Sequence, residues 1–139
     1  MRIVLGSDEK TTLTDAVVAD LEARGAAVTL VGPPGGETAE WAEVGRRVGE
    51  AVAGGAADSG VLFCWTGTGA SIAANKVGGI RAALCGDAAT ADGARRWNDA
   101  NVLALSLRST SEAELAEILD AWFATEPDSS EASNIASLE

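Results

Sequence analysis

Five short apolar runs punctuate the chain, near 2–6, 27–31, 59–64, 81–85 and 102–105, and their length and composition read as buried strands. Between them, segments near 12–24, 39–54, 70–76, 89–97 and 111–124 read as helices. In the last of these Leu115, Ile118, Leu119 and Trp122 share one face, and Ser111-Glu112-Ala113-Glu114 in front of them has the form of a capping box. Gly32-Pro33-Pro34-Gly35-Gly36 marks a turn between units, and no segment repeats another. Alternation of strand and helix predicts an α/β protein: a Rossmann-like three-layer α/β/α sandwich around a five-stranded parallel sheet. Right-handed crossovers then place every strand's carboxyl end on one side. Asp8, Cys64 and the loop after Cys85 are expected to share one crevice there.

Length and charge narrow the partners. A chain of 139 residues can bury a sizeable core, and we expect one domain over residues 1–125 followed by an acidic tail over 126–139. The opening Met1-Arg2-Ile3-Val4-Leu5-Gly6 reads as a first strand and not as a signal peptide. No apolar span is long enough to cross a bilayer. The net charge of −11 argues against nucleic acid and against an anionic membrane surface as partners. Every Lys and Arg lies at or before Arg108, and the following thirty-one residues hold eight acids and no base, a composition that predicts a loosely ordered end. Two cysteines in dissimilar surroundings do not form a disulfide framework, which makes a cytoplasmic, reducing location the expectation. With no His and no Cys-x-x-Cys, no metal site is expected.

The stretch from Gly60 to Lys76 carries the chemistry. An apolar strand ending in Cys64 presents a thiol at the carboxyl edge of the sheet, where open α/β folds put their ligands. Gly67 and Gly69 allow close approach of backbone to an anion, and a helix opening near Ser71 aims free N–H groups the same way. Taken singly, Cys64 also reads as a small buried hydrophobe and the glycine pair as a tight turn.

Four further blocks resemble the ribose-5-phosphate isomerase B and galactose-6-phosphate isomerase family. They are Gly6-Ser7-Asp8, the run Ser71–Val77, the run Gly79–Cys85 and the run Asn98–Leu105, in that order over about residues 1–125. The resemblance implies cofactor-free aldose–ketose isomerisation through an enediolate, in dimers with sites at the subunit interface, sometimes paired into tetramers. It implies that Cys64 is the base, whereas another subgroup has a Glu at the position of Ala70. Helix-terminal N–H groups would favour the thiolate, and the backbone of Gly67, Thr68, Gly69, Ala70 and Ser71 would hold the enediolate oxygen. Thr66 would bind a substrate hydroxyl or ring oxygen, or satisfy its own loop. Asp8 would bind substrate hydroxyls, its alternative role being a helix cap. Asn98 would bind hydroxyls, Asn101 would fix the turn into the fifth strand, and Arg108 would meet a phosphate. Cys85, Lys76 and Arg81 read as structural.

Departures from the family pattern shape the substrate reading. Glu9 and Trp97 stand where the family has His, the second of these being its ring-opening group. Trp41 replaces a Tyr, Trp65 replaces the Gly after the base, and the basic tail is gone. Trp41, Trp65 and Trp97 should therefore give the pocket flat apolar walls. Loss of imidazole removes the obvious group for ring opening, which an open-chain substrate would not need. The leading expectation is an isomerase for a modified, open-chain or non-phosphorylated sugar-like compound, with ribose 5-phosphate disfavoured. Its rivals are a catalytically silent binding module or partner subunit of a mixed oligomer, and a full ribose-5-phosphate isomerase in which Glu9 or water opens the ring.

Overall fold

The computed structural model describes residues Met1–Glu139. Strands β1 (Arg2–Ser7), β2 (Ala27–Val31), β3 (Ser59–Cys64), β4 (Ala82–Leu84) and β5 (Val102–Ser106) alternate with helices α1 (Thr12–Ala23), α2 (Trp41–Ala53), α3 (Thr68–Asn75), α4 (Ala88–Asn98) and α5 (Glu112–Ala124). All pairings are parallel, in the order β2-β1-β3-β5-β4. This is the expected Rossmann-like three-layer sandwich, and each element lies within two residues of its expected bounds.

Period-two alternation divides the core between the two faces of the sheet. Ile3, Leu5, Val61, Phe63, Leu103 and Leu105 pack with residues of α1, α4 and α5. Val4, Leu62, Cys64 and Val102 point the other way, into a second cluster with Val44 and Val48 of α2 and Ala70 and Ala74 of α3. Cys64 therefore owes the direction of its side chain to its register in β3, which faces it toward α2 and α3.

Caps set the helix starts. Thr11 caps α1 in a reciprocal box with Thr14, so the cap role open to Asp8 is filled by another residue. Ser111 and Glu114 form the expected box at the start of α5. Helix α3 starts at Thr68, two residues before its expected start, because Gly67 in the left-handed region (φ 81°) turns the chain into the helix without a side-chain cap.

The acidic tail is more ordered than its composition predicts. A 3-10 turn over Ser129–Glu131 leads into α6 (Ala132–Ala136). Asp128 N–H donates to Arg96 O at 2.7 Å and Arg81 pairs with Glu139 at 2.6 Å, so contacts distant in sequence supply the order that local composition does not. No helix is long and apolar enough to cross a membrane.

Candidate active site

The strand order reverses between β1 and β3, since β2 lies on one side of β1 and β5 on the far side of β3. That reversal opens a crevice at the strands' carboxyl ends, the usual ligand position of open α/β sheets. Ser7 is in register with Phe63, so the chain leaves β1 at Asp8 beside Cys64, with neighbouring strands about 5 Å apart. A cleft of about 280 Å³ lies there, lined by Asp8, Trp41, Cys64, Trp65, Thr66, Thr68 and Gly69. It is open to solvent at Trp41 and Trp65, which are 46% and 57% exposed.

Cys64 sits nearly buried at the base of the cleft, and Gly67 N–H donates to its sulfur at 3.2 Å. The left-handed turn at Gly67 makes that contact possible. A side chain there would strike Leu84 Cδ1 at 2.6 Å and the Leu105 carbonyl at 2.9 Å. Ser71 N–H is used inside the helix, donating to Gly67 O at 3.2 Å. Thr68 N–H leans on Thr66 Oγ1 at 3.4 Å. The expected five-donor cradle over residues 67–71 is therefore narrower, with the Gly69 and Ala70 N–H groups left open at the first turn of α3. Trp41 lies directly over that turn, its ring 2.8 Å from where a Gly69 Cβ would be.

The hydroxyls of Thr66 and Thr68 are 2.8 Å apart and form one polar pair on the cleft floor. Backbone bonds from beyond β5 hold this loop: Leu107 N–H donates to Cys64 O at 3.0 Å, and Arg108 N–H to Trp65 O at 2.9 Å. Ser106 Oγ also donates to Trp65 O at 2.9 Å. Across the crevice, Ser7 Oγ donates to Glu9 O at 2.6 Å and accepts Glu9 N–H at 3.2 Å, which fixes the loop carrying Asp8. Neither Ser7 nor Ser106 is among the site residues expected from sequence. A hydroxyl bonded to the backbone two residues on is a turn pattern visible at Ser7, whereas the Ser106 contact spans 41 positions.

Asp8 is electrostatically unusual. Its Oδ1 is the one buried side-chain N or O atom in the molecule without a hydrogen-bond partner. Desolvation, with smaller contributions from the charges of Glu9 and Glu40, holds its carboxyl above the ordinary aspartate value. Arg108 is unusual in the opposite sense. The seven other arginines are ion-paired, for example Arg47 with Glu37 and Arg81 with Asp99, while Arg108 is exposed and unpaired beside Trp65.

Several expected site residues lie outside the cleft. Glu9 and Arg108 are exposed but do not line it, and the side chains of Ala70 and Ser71 are buried in α3. Trp97 and Asn98 are corrected to another surface. A crossover helix runs antiparallel to the strands, so the carboxyl end of α4 lies toward the opposite edge of the sheet. Trp97 stacks over Gly93 and, with Asn98, Leu84 and Asp87, lines a separate groove. Asn101 holds the turn before β5, accepting Arg81 N–H at 2.8 Å and donating to Gly79 O at 3.0 Å. Cys85 is buried packing, its thiol pushed up to about 12 by desolvation and by Asp87. A larger groove of about 500 Å³ at the opposite edge holds Arg81 and Arg95, both already paired with Asp99, and no nucleophile.

A family model described as Ribose/Galactose Isomerase matches residues 3–137. The chain belongs to the ribose/galactose isomerase family. Within that family it is 44% identical over 111 residues to ribose-5-phosphate isomerase B of Escherichia coli (strain K12), covering 79% of this chain and 74% of the relative. It is 37% identical over 132 residues to D-erythrulose-4-phosphate isomerase of Pectobacterium atrosepticum, covering 91% and 84%. The solved ribose-5-phosphate isomerase B of Clostridium thermocellum superposes with a TM-score of 0.92 at 38% identity, over 99% of this chain and 95% of that one. Family membership supports sugar-phosphate aldose–ketose isomerase chemistry over the silent-module reading.

Proposed function

We propose that this protein is an aldose–ketose isomerase for a short, open-chain sugar phosphate, with Cys64 as the carbon base. The observation that carries the reading is the cleft itself. A sulfur receiving Gly67 N–H lies beside the unbonded N–H groups of the first turn of α3, and an exposed, unpaired arginine follows β5 with its backbone bonded to Trp65. The Cys64 thiolate removes the proton from the carbon next to the carbonyl. The Gly69 and Ala70 N–H groups stabilise the oxygen charge that develops, an effect worth about 3 kcal/mol for one donor. The Thr66–Thr68 pair orients a substrate hydroxyl, Trp41 and Trp65 cover the C–H faces, and Arg108 holds the phosphate.

Two facts favour an open-chain substrate. The chain contains no His to open a sugar ring, and the cleft of about 280 Å³ is slightly smaller than the usual ligand pocket of about 300 Å³ or more. A four-carbon sugar esterified on O4 cannot close a five-membered ring, because the oxygen that would close it carries the phosphate. The relative named D-erythrulose-4-phosphate isomerase makes that class the first to test. The names of the Escherichia coli and Clostridium relatives favour ribose 5-phosphate as the second reading. The resemblance to interface-sited dimers suggests a second copy beside the cleft, and Trp97 and Asn98, displaced from their own chain's cleft, are the residues we assign to that contact.

The test is proton NMR in D2O on D-erythrulose 4-phosphate, ribose 5-phosphate and the unphosphorylated sugars, with Cys64→Ala as control. Deuterium entering the carbon next to the carbonyl, lost in Cys64→Ala and fastest with the tetrulose phosphate, is the expected result. Faster turnover of ribose 5-phosphate would select the second reading. Exchange that persists without Cys64, or none on any sugar, would overturn the assignment of the base.

A further inference from the structure

Moving one hydrogen between carbons is half of an aldose–ketose isomerisation. Going from aldose to ketose, the base takes a proton from C2, C1=C2 forms and O1 becomes an anion. The proton on O2 must then leave and O1 must gain one, before the base returns its proton to C1 and O2 becomes the carbonyl. The carbon proton is the business of Cys64. The oxygen proton needs a group of its own, within reach of two adjacent oxygens and able to accept and release a proton in turn.

The seven cleft residues include two titratable side chains, Cys64 and Asp8. Glu9, which the sequence offered as a replacement for imidazole, is exposed and outside the cleft, and the chain has no His. Glu40, at the cap position of α2, is the other charged group acting on Asp8, and it too is exposed. Asp8 is anchored by the Ser7–Glu9 lock on the strand next to that of Cys64. Its Oδ1 is buried with no protein partner. A buried acceptor left unsatisfied is costly to a fold, and the cost is explained if a substrate hydroxyl completes it.

We infer that Asp8 is a second catalytic group of this site, carrying the proton between O2 and O1 of the enediolate. The vicinal oxygens of a planar cis-enediolate lie close enough together that one carboxylate oxygen reaches both in turn, so it accepts the proton from O2 and, after a small rotation of the side chain, delivers that same proton to O1 and is again ionised. One hydrogen leaves C2, one reaches C1 and one passes from O2 to O1, with no outside oxidant or reductant. The burial that raises the affinity of this carboxyl for a proton suits it to a role in which it must hold one briefly. This assignment goes beyond hydroxyl binding and rests on the isomerase reading with Cys64 as base.

The experiment measures two rates in one NMR tube, starting from D-erythrulose 4-phosphate in D2O: deuterium entering C1, and appearance of the aldose. Asp8→Asn keeps the shape and hydrogen-bonding capacity of the side chain but cannot carry the proton. Conversion should fall by about 100-fold or more, while Cys64-dependent exchange falls much less, so that the ratio of exchange to conversion rises at least about tenfold. Equal losses in both rates would mean that Asp8 only binds or supports the site, and the relay would be wrong with Cys64 intact as base. Wild-type protein that shows no exchange would overturn both assignments together. On the unmutated protein the same ratio is followed against pH, the other titratable groups near Asp8 being Cys64 in the cleft and the exposed Glu9 and Glu40, whose charges act on it. Conversion should fall relative to exchange on the acid side as Asp8 takes up its proton, and a flat ratio would refute the relay without any variant.

Discussion

The turn at Gly67 should be the least tolerant position in the catalytic loop, and Gly67→Ala measures it. Two costs add. A left-handed residue with a Cβ costs about 1–2 kcal/mol, and Gly67 sits at φ 81°. The added Cβ would also lie 2.6 Å from Leu84 Cδ1 and 2.9 Å from the Leu105 carbonyl carbon and oxygen. Leu84 is 40% exposed and can move aside. The Leu105 carbonyl belongs to β5, held in the ladder by its pairing with Phe63 of β3, and cannot. Overpacking against fixed structure costs about 1–3 kcal/mol, giving about 2–5 kcal/mol in total against a typical domain stability of about 5–15 kcal/mol. Gly25→Ala is the control, because Gly25 has φ 86° and nothing within 4 Å of its Cβ position, so that it carries the conformational cost alone. Urea denaturation at 25 °C should find Gly67→Ala less stable than Gly25→Ala by about 1–3 kcal/mol. Equal losses would refute the claim that β5 presses on this turn. Turnover should drop further than stability, because relief of the clash moves Gly67 N–H away from the Cys64 sulfur.

The remaining expectations concern single groups. At pH 8 a small alkylating reagent should label one thiol of the native protein and two in urea, since Cys64 lines the cleft while burial pushes the Cys85 thiol up to about 12; peptide mapping that finds Cys85 modified in the folded state would contradict this. Arg108→Ala should raise KM for a phosphorylated substrate by roughly 10- to 150-fold, the equivalent of a charged hydrogen bond of about 1.5–3 kcal/mol, and leave an unphosphorylated sugar nearly unaffected; equal effects on both would remove Arg108 from the phosphate. Asp8→Asn should change stability in a pH-dependent way. The folded-state affinity of Asp8 for its proton is raised, so ionised Asp8 costs stability above the ordinary aspartate value and protonated Asp8 does not. Thermal melts should therefore favour the Asn variant over wild type increasingly as pH rises from about 3 to 7, and a difference in melting temperature independent of pH would show that ionised Asp8 carries no such cost.

The sequence made the cleft legible where chemistry and topology coincide. Asp8 follows β1 directly and Cys64 ends β3, so the rule that puts carboxyl ends together was enough to join them, and the first residue of α2 brought Trp41 to the same edge. Trp97 and Asn98 went astray for the same geometric reason applied in reverse. They close a helix that starts at that edge and runs away from it, so their likeness to site residues could not be satisfied within one chain. The donors around residues 67–71 were legible as a set but not as an allocation, because which N–H serves the sulfur depends on a left-handed glycine that sequence spacing suggests without fixing. Least legible were partners far apart in the chain: Ser106 on Trp65, Asn101 on Gly79 and Arg81, and Asp128 on Arg96. Each is a polar group satisfied by the tertiary fold, so its role exists only once the sheet is assembled. Asp8 Oδ1 is the exception left after that assembly. The folded chain satisfies its other buried side-chain polar atoms and leaves this one open beside the only thiol in the cleft, which is the arrangement expected if its partner is a substrate oxygen.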